Sequence, residues 1–198
     1  MDPQEIGITA TPQSEAQCTF TVDRPVYPGG SWHFGSAESA EGSPLAERIM
    51  AIDSVTGVLV SENLVTVSKE GFEEWFPVAK QVGAIIRECL ADESTKPIAA
   101  DLAERIPTSD EMREKVQQVL DAEINPQVAM HGGVIDLLDV KGNTLFIRMG
   151  GGCQGCGSAT ATLKQGVEKI LRERIPEIGE ILDTTDHAAG RNPYYAPM

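Results

Sequence analysis

The chain has 198 residues, 41% of them hydrophobic, and its 30 acidic and 16 basic side chains give a formal net charge of −14. This charge argues against a nucleic-acid-binding protein, because binding to phosphates requires a basic surface. No apolar run approaches the ~20 residues that span a bilayer, and the acidic start Met1–Glu5 lacks the basic region of a leader peptide, so we expect a cytoplasmic protein without membrane contact.

Two domains are predicted from the length of the chain and from a break near its middle. Residues 92–107 are predicted to be a linker, because Asp92–Pro97 shows no hydrophobic periodicity and Pro107 closes the segment. The stretch Ile98–Ile106 between the two prolines can form a short helix. Residues 1–91 and residues 108–198 would then form one domain each. Acidic residues outnumber basic ones on both sides of the linker.

Alternating apolar residues and turn residues predict the strands and helices of the first half. Two short strands are expected at 6–9 and 18–22, a helix from Ser43-Pro44 onward, a hairpin at 58–67 and a longer helix at 73–90. The prolines and glycines between Pro25 and Gly30 are expected to interrupt regular structure.

In the second half, Thr108 and Glu111 form a capping-box pattern that predicts the start of a helix, and Asn125-Pro126 is expected to end or kink it. The pattern then predicts a hairpin of strands at 134–140 and 144–149, a helix at about 158–174 and a short strand at 180–183. The expected fold class is therefore α+β: two small α+β domains, each a short antiparallel or mixed sheet covered by helices.

The most reactive stretch of the sequence is Gly150–Gly157, which contains Cys153, Cys156 and five glycines. It follows a predicted strand and precedes a predicted helix, so both thiols are expected at a helix N-terminus. Backbone N–H groups and the positive end of the helix dipole favour thiolates there. The glycines remove side chains that would cover the sulfur atoms, and they let backbone amides approach an anionic group.

Three kinds of chemistry fit Cys153 and Cys156. The first is an iron–sulfur cluster, which is usually held by four thiolates. Because the chain offers one close pair of cysteines, two copies related by a two-fold axis would have to share one cluster. A cluster held between two subunits is exposed and easily released, which suits delivery to another protein.

The second chemistry is thiol–disulfide exchange, for which a Cys-x-x-Cys pair at a helix N-terminus has the required low pKa. Against it, the preceding strand is predicted to be the second strand of a hairpin rather than part of a parallel βαβ unit, and no aromatic residue precedes Cys153. The third is structural zinc, which takes four tetrahedral ligands. His131 and His187 could complete such a set, although neither has finger-like spacing to the pair.

The other two cysteines are not predicted to bind metal. Cys89 falls on the apolar face of the predicted helix 73–90, which indicates a core residue, and Cys18 lies among strand residues. Trp32 and Trp75 are expected to pack within the protein rather than to bind a ligand.

The second half resembles the NifU C-terminal domain of Nfu-type iron–sulfur carriers over about residues 108–185. This resemblance rests on the run Cys153–Cys156, the preceding Gly132-Gly133 and the following Thr162–Glu168. The first half resembles the Nfu N-terminal domain more loosely. That second resemblance rests on the segments Phe34–Ala37, Gly42–Ala46 and Val55–Val58.

The resemblance implies that the protein is not an enzyme but a scaffold and carrier of iron–sulfur clusters. It implies that Cys153 and Cys156 are the cofactor-binding and metal-ligating residues. They would hold a 4Fe–4S cluster between the subunits of a homodimer, and a 2Fe–2S cluster is the alternative. The cluster would come from the iron–sulfur assembly machinery and pass to apo iron–sulfur client proteins. The N-terminal domain would contact clients or partners.

Overall fold

The computed structural model describes residues 6–72, 74–92, 96–99, 101–130, 132–151 and 157–184, and at residues 29, 103 and 157–162 it describes the backbone alone. Contacts within the chain divide it into two compact units, Met1–Arg105 and Ile106–Met198. Each unit is a β-sheet with helices packed on it, which confirms the predicted α+β class. Within the described ranges, no helix is long and apolar enough to cross a lipid bilayer.

The first unit is built from five strands and three helices. They are β1 (Ile8–Pro12), β2 (Gln17–Val22), β3 (Tyr27–Phe34), α1 (Pro44–Met50), β4 (Val55–Glu62), β5 (Leu64–Lys69), α2 (Trp75–Ala91) and α3 (Leu102–Arg105). The strands form one antiparallel sheet in the order β1-β2-β5-β4-β3. The predicted strand pair, hairpin and two longer helices are therefore present.

The break predicted between Pro25 and Gly30 is confirmed only at Pro25, which lies between β2 and β3, whereas the stretch with Pro28, Gly29 and Gly30 belongs to β3. β3 is an edge strand, and its register against β4 shifts between Tyr27 and Ser31. Proline and glycine are tolerated at such a position, since an edge strand leaves one side of its backbone without a neighbouring strand and a bulge removes further pairing.

The core of the first unit forms between one face of its sheet and the helices α1 and α2. Alternate residues of β2, β4 and β5 point into it, as the two-residue period of a strand requires. The larger members of this core are Phe20, Val22, Trp32, Phe34, Leu45, Ile49, Val58, Val60, Val65, Val67, Val78, Val82, Ile86 and Cys89. The apolar stripe predicted for α2 is thus buried, with Cys89 among its members.

Part of the segment predicted to be a linker packs onto the first unit. Ile98 and Leu102 are buried, and the backbone N–H of Ala99 donates to Oγ of Ser43 at 3.1 Å. Ser43 precedes α1 as expected, but its hydroxyl accepts this bond instead of capping the helix. The short helix expected within Ile98–Ile106 is present as α3, whereas its packing on the first unit depends on a distant partner that the sequence does not show.

The described residues of the second unit form three strands and four helical segments. They are α4 (Ser109–Val119), a π-helical turn (Leu120–Ile124), α5 (Asn125–Ala129), β6 (Gly133–Lys141), β7 (Thr144–Gly151), α6 (Gly157–Arg174) and β8 (Ile181–Asp183). The sheet order is β6-β7-β8, with β6 antiparallel and β8 parallel to β7. The predicted capping box is confirmed: Oγ1 of Thr108 accepts from the N–H of Glu111, whose carboxylate accepts from the N–H of Thr108 at 3.0 Å.

Helices α4 and α6 and the helical segment between α4 and β6 bury their apolar residues against the sheet of the second unit. The core consists of Met112, Val116, Leu120, Ile124, Val128, Ile135, Val140, Leu145, Ile147, Met149, Val167, Leu171, Ile175, Ile178 and Ile181. Leu163 and Ile170 of α6 pack against it while partly exposed. The buried face that helical spacing predicts for α6 is therefore confirmed.

The helix predicted to end or kink at Asn125-Pro126 is interrupted just before this pair by the π-helical turn, and helical backbone then continues to Ala129. The backbone N–H of Asn125 donates to the carbonyl of Leu120, five residues earlier, which is the hydrogen bond of a π turn. Pro126 then falls in the first turn of α5, where its missing N–H costs nothing.

Candidate functional site

Cys153 and Cys156 lie outside the residues that the structure describes, which omit 152–156. The structure does describe both ends of this segment, because β7 ends at Gly151 and α6 begins at Gly157. The two cysteines therefore belong to a five-residue connection between a strand and a helix. The strand and the helix predicted on either side of the pair are both present.

The backbone at the start of this connection requires glycine. Gly151 has a φ of 65° and Gly132 a φ of 72°, values that residues with a side chain rarely adopt. A Cβ atom on Gly151 would also overlap the carbonyl oxygen of Gly132, because the two backbones meet where Gly133 pairs with Gly151. Glycine at position 151 therefore determines where the chain leaves the sheet to form the cysteine loop.

The side chain of Asn125, whose role the sequence did not reveal, joins the helices to the sheet near this loop. Its Nδ2 donates to the carbonyl of Ile135 at 3.1 Å, and its Oδ1 accepts from the N–H of Ile135 at 2.8 Å. Ile135 lies in the edge strand β6 opposite Met149, two residues before Gly151. The amide therefore pairs with the outer edge of β6 as a further strand would. In the sequence, an Asn-Pro pair gives only a helix-end signal.

Replacing Asn125 with alanine is expected to lower the free energy of unfolding of the second unit by about 2–3 kcal/mol, because both backbone groups of Ile135 lose their partner. Urea unfolding measures this change, and faster hydrogen exchange of the Ile135 amide locates it. The control is Gln127→Ala, which removes an exposed amide bonded only to Glu123 in the adjacent turn. It is expected to change stability by less than about 0.5 kcal/mol. Equal losses in the two variants would contradict the role assigned to Asn125.

Two apolar side chains next to the loop are exposed. Met130 is 79% exposed and Val134 is 40% exposed, and they flank Gly132 in the chain. Among the described residues of the second unit, no other large apolar side chain is exposed. An exposed apolar surface near the end of β7, where Val134 lies opposite Gly150, suits contact with another protein surface.

Three charged residues follow one another along α6 at four-residue spacing. Nζ of Lys164 lies 3.9 Å from Oε1 of Glu168, and Nη1 of Arg172 donates to the carbonyl of Ile178 at 2.9 Å. Burial raises the pKa of Glu168 and lowers the pKa of Arg172 to about 10. Because Arg172 bonds to the segment that leads into β8, it ties the second half of α6 to that segment.

A bidentate ion pair fixes the other end of α6 to the π turn. Nε of Arg174 donates to Oε1 of Glu123 at 2.7 Å, and Nη2 donates to Oε2 at 2.9 Å. These hydrogen bonds lower the pKa of Glu123 and raise the pKa of Arg174. The ionised carboxylate is therefore favoured by the folded protein.

The Glu123–Arg174 pair predicts a pH-dependent effect. Since the folded-state pKa of Glu123 is lowered, its contribution to stability is complete above the ordinary value of 4.5 and is lost as the pH falls through the folded-state value. Glu123→Gln is expected to lower the urea midpoint at neutral pH and to leave it unchanged once the pH is below that value. Glu173→Gln is the control, since Glu173 has one contact of 4.0 Å with Lys169. A midpoint difference that persists at acid pH would contradict this assignment.

The remaining cysteines, Cys18 and Cys89, are free thiols enclosed in the first unit. Cys18 has no exposed surface and Cys89 is 8% exposed. Burial raises the pKa of both thiols, and at Cys89 the guanidinium of Arg48, 3.7 Å from Sγ, offsets this only in part. Both thiols therefore stay protonated, whereas a metal ligand or nucleophile must be a thiolate.

The argument from strand topology against thiol–disulfide exchange is wrong. β7 is the second strand of a hairpin, as predicted, but it also pairs in parallel with β8, with Leu145 opposite Ile181. Because α6 connects β7 to β8, the cysteine pair lies between the strand and the helix of a parallel β–α–β unit. Redox-active Cys-x-x-Cys pairs are typical of this position, so topology does not count against exchange.

The two histidines considered as zinc ligands, His131 and His187, also lie outside the described residues. Among the residues whose positions are described, which include neither these histidines nor the cysteine pair, no cluster of three or more His, Cys, Asp or Glu residues could hold a metal ion. The zinc alternative therefore stays a prediction from the sequence.

Comparisons with known proteins match both halves of the chain. A family model described as "NifU-like domain" matches residues 116–182, and one described as "Scaffold protein Nfu/NifU N terminal" matches residues 6–93. A relative from Ectopseudomonas mendocina, named Fe/S biogenesis protein NfuA, is 36% identical over 138 residues, which are 65% of this chain and 70% of the relative. A protein of the same name from Stutzerimonas stutzeri is 34% identical over 140 residues, 66% of this chain and 71% of the relative.

Among solved structures, the solution structure of a NifU-like protein from Saccharomyces cerevisiae aligns with 48% of this chain and 84% of its own length. The identity is 16% and the TM-score is 0.41.

Proposed function

Since this chain belongs to the NifU/Nfu family of iron–sulfur cluster scaffold proteins, we propose that it carries an iron–sulfur cluster and delivers it to other proteins. The proposed cargo is a 4Fe–4S cluster, ligated by Cys153 and Cys156 from each of two copies of the chain. Relatives named for iron–sulfur biogenesis support the general role. The ligands, the cluster type and the dimer are proposed from the chemistry of the residues present.

The observation that carries this proposal is the burial of Cys18 and Cys89. Iron–sulfur clusters are usually held by four thiolates, and the chain has four cysteines. Two of them are enclosed in the core of the first unit and kept protonated there. Only Cys153 and Cys156 are left as ligands, so a full set of four requires a second copy of the same loop.

The backbone around the loop suits a large anionic cargo. Gly150 and Gly151 end β7, and neither carries a side chain that would stand beside the sulfur atoms. The start of α6 at Gly157 adds backbone N–H groups that have no partner within the helix, and such groups can donate to cluster sulfides. Residues of this chain therefore supply thiolates and hydrogen-bond donors, and no catalytic group is needed.

Delivery is proposed to proceed by ligand exchange. Thiolates of an apo-protein replace those of Cys153 and Cys156 one by one, and the cluster changes hands without a change in its oxidation state. The cluster would be supplied by the cell's iron–sulfur assembly machinery, and the recipients would be apo iron–sulfur proteins. This role requires a cluster that is accessible, which a site shared between two subunit surfaces provides.

Thiol–disulfide exchange is the second candidate function, because the β7–α6–β8 unit places the cysteine pair where redox-active pairs occur. In that case Cys153 would attack a substrate disulfide, and Cys156 would resolve the mixed disulfide and leave a Cys153–Cys156 bond. The two functions are distinguished by an insulin assay with metal-free protein. The protein would accelerate the reduction of insulin disulfides by dithiothreitol only if exchange is the function.

Cluster delivery is tested by mixing the anaerobically loaded protein with an apo-ferredoxin whose native cluster is 4Fe–4S. The expected result is that the ferredoxin acquires its cluster faster than from equal amounts of free iron and sulfide, and that an iron chelator in the buffer does not stop the transfer. Loading that is no faster than from free iron and sulfide, or that the chelator abolishes, would contradict the carrier function.

The proposed dimer predicts an effect of Met130, which is exposed beside the loop. Met130→Glu places a charge on the surface that two loaded copies would share, so loaded dimers are expected to dissociate at least ten-fold more readily in sedimentation experiments. The apo-protein should keep its fold, because the side chain is not part of the core. Gln127→Glu is the matched control, since Gln127 is also exposed and lies in α5, which ends at Ala129 just before Met130. Equal dissociation of the two loaded variants would contradict contact at Met130.

A further inference from the structure

The first unit exposes two phenylalanines on one short segment. Phe72 is 101% exposed and Phe76 is 78% exposed, whereas Phe20 and Phe34 of the same unit have no exposed surface. Phe72 lies in the connection between β5 and α2, and Phe76 lies in the first turn of α2. Single exposed apolar residues are ordinary, but two aromatic rings four residues apart form a patch of the kind that binds partners.

The backbone that presents these rings is held on the side before Phe72. Lys69, which ends β5, is 3% exposed, and its backbone N–H donates to the carbonyl of Ala16 at 2.9 Å. The backbone N–H of Glu70 donates to the carbonyl of Ser54 at 2.9 Å. The segment therefore leaves the sheet at a fixed point.

The segment is also held on the side of Phe76. Nε1 of Trp75 donates to the carbonyl of Ser14 at 2.9 Å, and Nζ of Lys69 lies 5.2 Å from the centre of the Trp75 ring. Val78, at 2% exposure, then fastens α2 to the core. The described residues on both sides of the rings, Lys69 and Glu70 before Phe72 and Trp75 and Val78 next to Phe76, are thus held by contacts within the unit. A rigid platform for exposed rings lowers the entropy lost when a partner covers them.

The surroundings of the two rings are mainly acidic. Glu70 and Glu74 are exposed and lie close to the two phenylalanines in sequence. Lys80 lies one helical turn beyond Phe76 and is also exposed. Residues 1–98 contain 15 acidic and 6 basic residues. Of these six, Arg24 and Arg48 are engaged by Asp23 and Glu88, and Lys69 is buried. The patch is therefore apolar at its centre and acidic around it.

We propose that Phe72 and Phe76, with Glu70 and Glu74, form a docking surface for a basic amphipathic helix of a partner protein. The apolar stripe of such a helix would cover the two rings, and its Lys or Arg side chains would meet the two carboxylates. A second copy of this chain fits less well, because two acidic patches repel each other. An anionic lipid surface is disfavoured for the same reason.

The test uses the full chain and a synthetic helical peptide of leucine and lysine, with a leucine–glutamate peptide of the same pattern as its counterpart. Binding is measured by calorimetry at physiological salt. Trp75 fluorescence provides a second readout, because its indole lies between the two rings in sequence. We expect the lysine peptide to bind, the glutamate peptide not to bind, and Phe72→Ala/Phe76→Ala to weaken binding of the lysine peptide at least ten-fold.

Charge reversal separates this site from general attraction to an acidic protein. Glu70→Lys/Glu74→Lys is expected to weaken binding at least ten-fold, whereas Glu38→Lys/Glu41→Lys, the same charge change at exposed positions elsewhere in the unit, should weaken it less than three-fold. The proposal is overturned if the wild-type chain does not bind the lysine peptide, if the alanine variant binds it equally, or if both charge reversals act alike. Self-association that Phe72→Ala/Phe76→Ala abolishes would identify a second copy as the occupant and would also overturn it.

Discussion

Replacing either Cys153 or Cys156 with serine is expected to abolish binding of an iron–sulfur cluster. A serine hydroxyl is not deprotonated at neutral pH, so each variant dimer would retain only two of four thiolate ligands. The fold should be unchanged, because the substitution removes one sulfur atom from a five-residue connection between β7 and α6. Iron and acid-labile sulfide after anaerobic reconstitution measure the loss, and circular dichroism checks the fold.

The control for these variants is Cys89→Ala. It removes a buried thiol from the first unit and is expected to lower the stability of that unit by about 1–2 kcal/mol while leaving the cluster content unchanged. Cluster binding that survives Cys153→Ser, or that is lost in Cys89→Ala with the fold intact, would show that the ligand set is different.

Gly151→Ala is expected to destabilise the second unit strongly. A residue with a side chain at positive φ costs about 1–2 kcal/mol, and here the added Cβ would also overlap the carbonyl oxygen of Gly132. Relieving that overlap must separate the paired ends of β6 and β7. We expect a total loss of about 3 kcal/mol or more in the free energy of unfolding of the second unit, together with loss of cluster binding.

Two other glycines separate the causes of this effect. Gly132 also has positive φ, but a Cβ atom there would meet nothing within 4 Å, so Gly132→Ala should cost only about 1 kcal/mol. Gly166 lies exposed in α6 with open space around it, so Gly166→Ala should stabilise the helix by about 0.5–1 kcal/mol. A Gly151→Ala variant as stable as Gly132→Ala would contradict the predicted overlap.

Local signals predicted most of the fold of this chain. The Thr108–Glu111 capping box is confirmed by its hydrogen bonds, and the β6–β7 hairpin forms as the turn residues indicate. The apolar spacing of α2 and α6 selects the residues that are buried. These features depend on neighbours within a few residues, and such interactions can be recognised in a sequence without knowledge of the fold.

The features that sequence patterns did not reveal depend on distant partners. β3 tolerates Pro28 and the two glycines that follow it because this strand is at an edge of the sheet. Edge position is a property of the whole sheet and not of the local sequence. Ile98 is buried on the first unit, where the neighbouring Ala99 bonds to Ser43, 56 residues away. Asn125 pairs with Ile135, ten residues away, and the parallel pairing of β7 with β8 arises from the path of α6. The assignment of Cys153 and Cys156 as ligands stays a prediction from their local chemistry, because both residues lie outside the described part of the chain.

The central claim is that two copies of this chain share one cluster on four thiolates. The most direct measurement is iron, acid-labile sulfide and zinc per chain on protein purified without oxygen, together with its mass in solution. We expect a dimer with about two iron and two sulfide per chain and no zinc, as one shared 4Fe–4S cluster requires. Stoichiometric zinc without sulfide, or a monomer that takes up no cluster on anaerobic reconstitution, would contradict it.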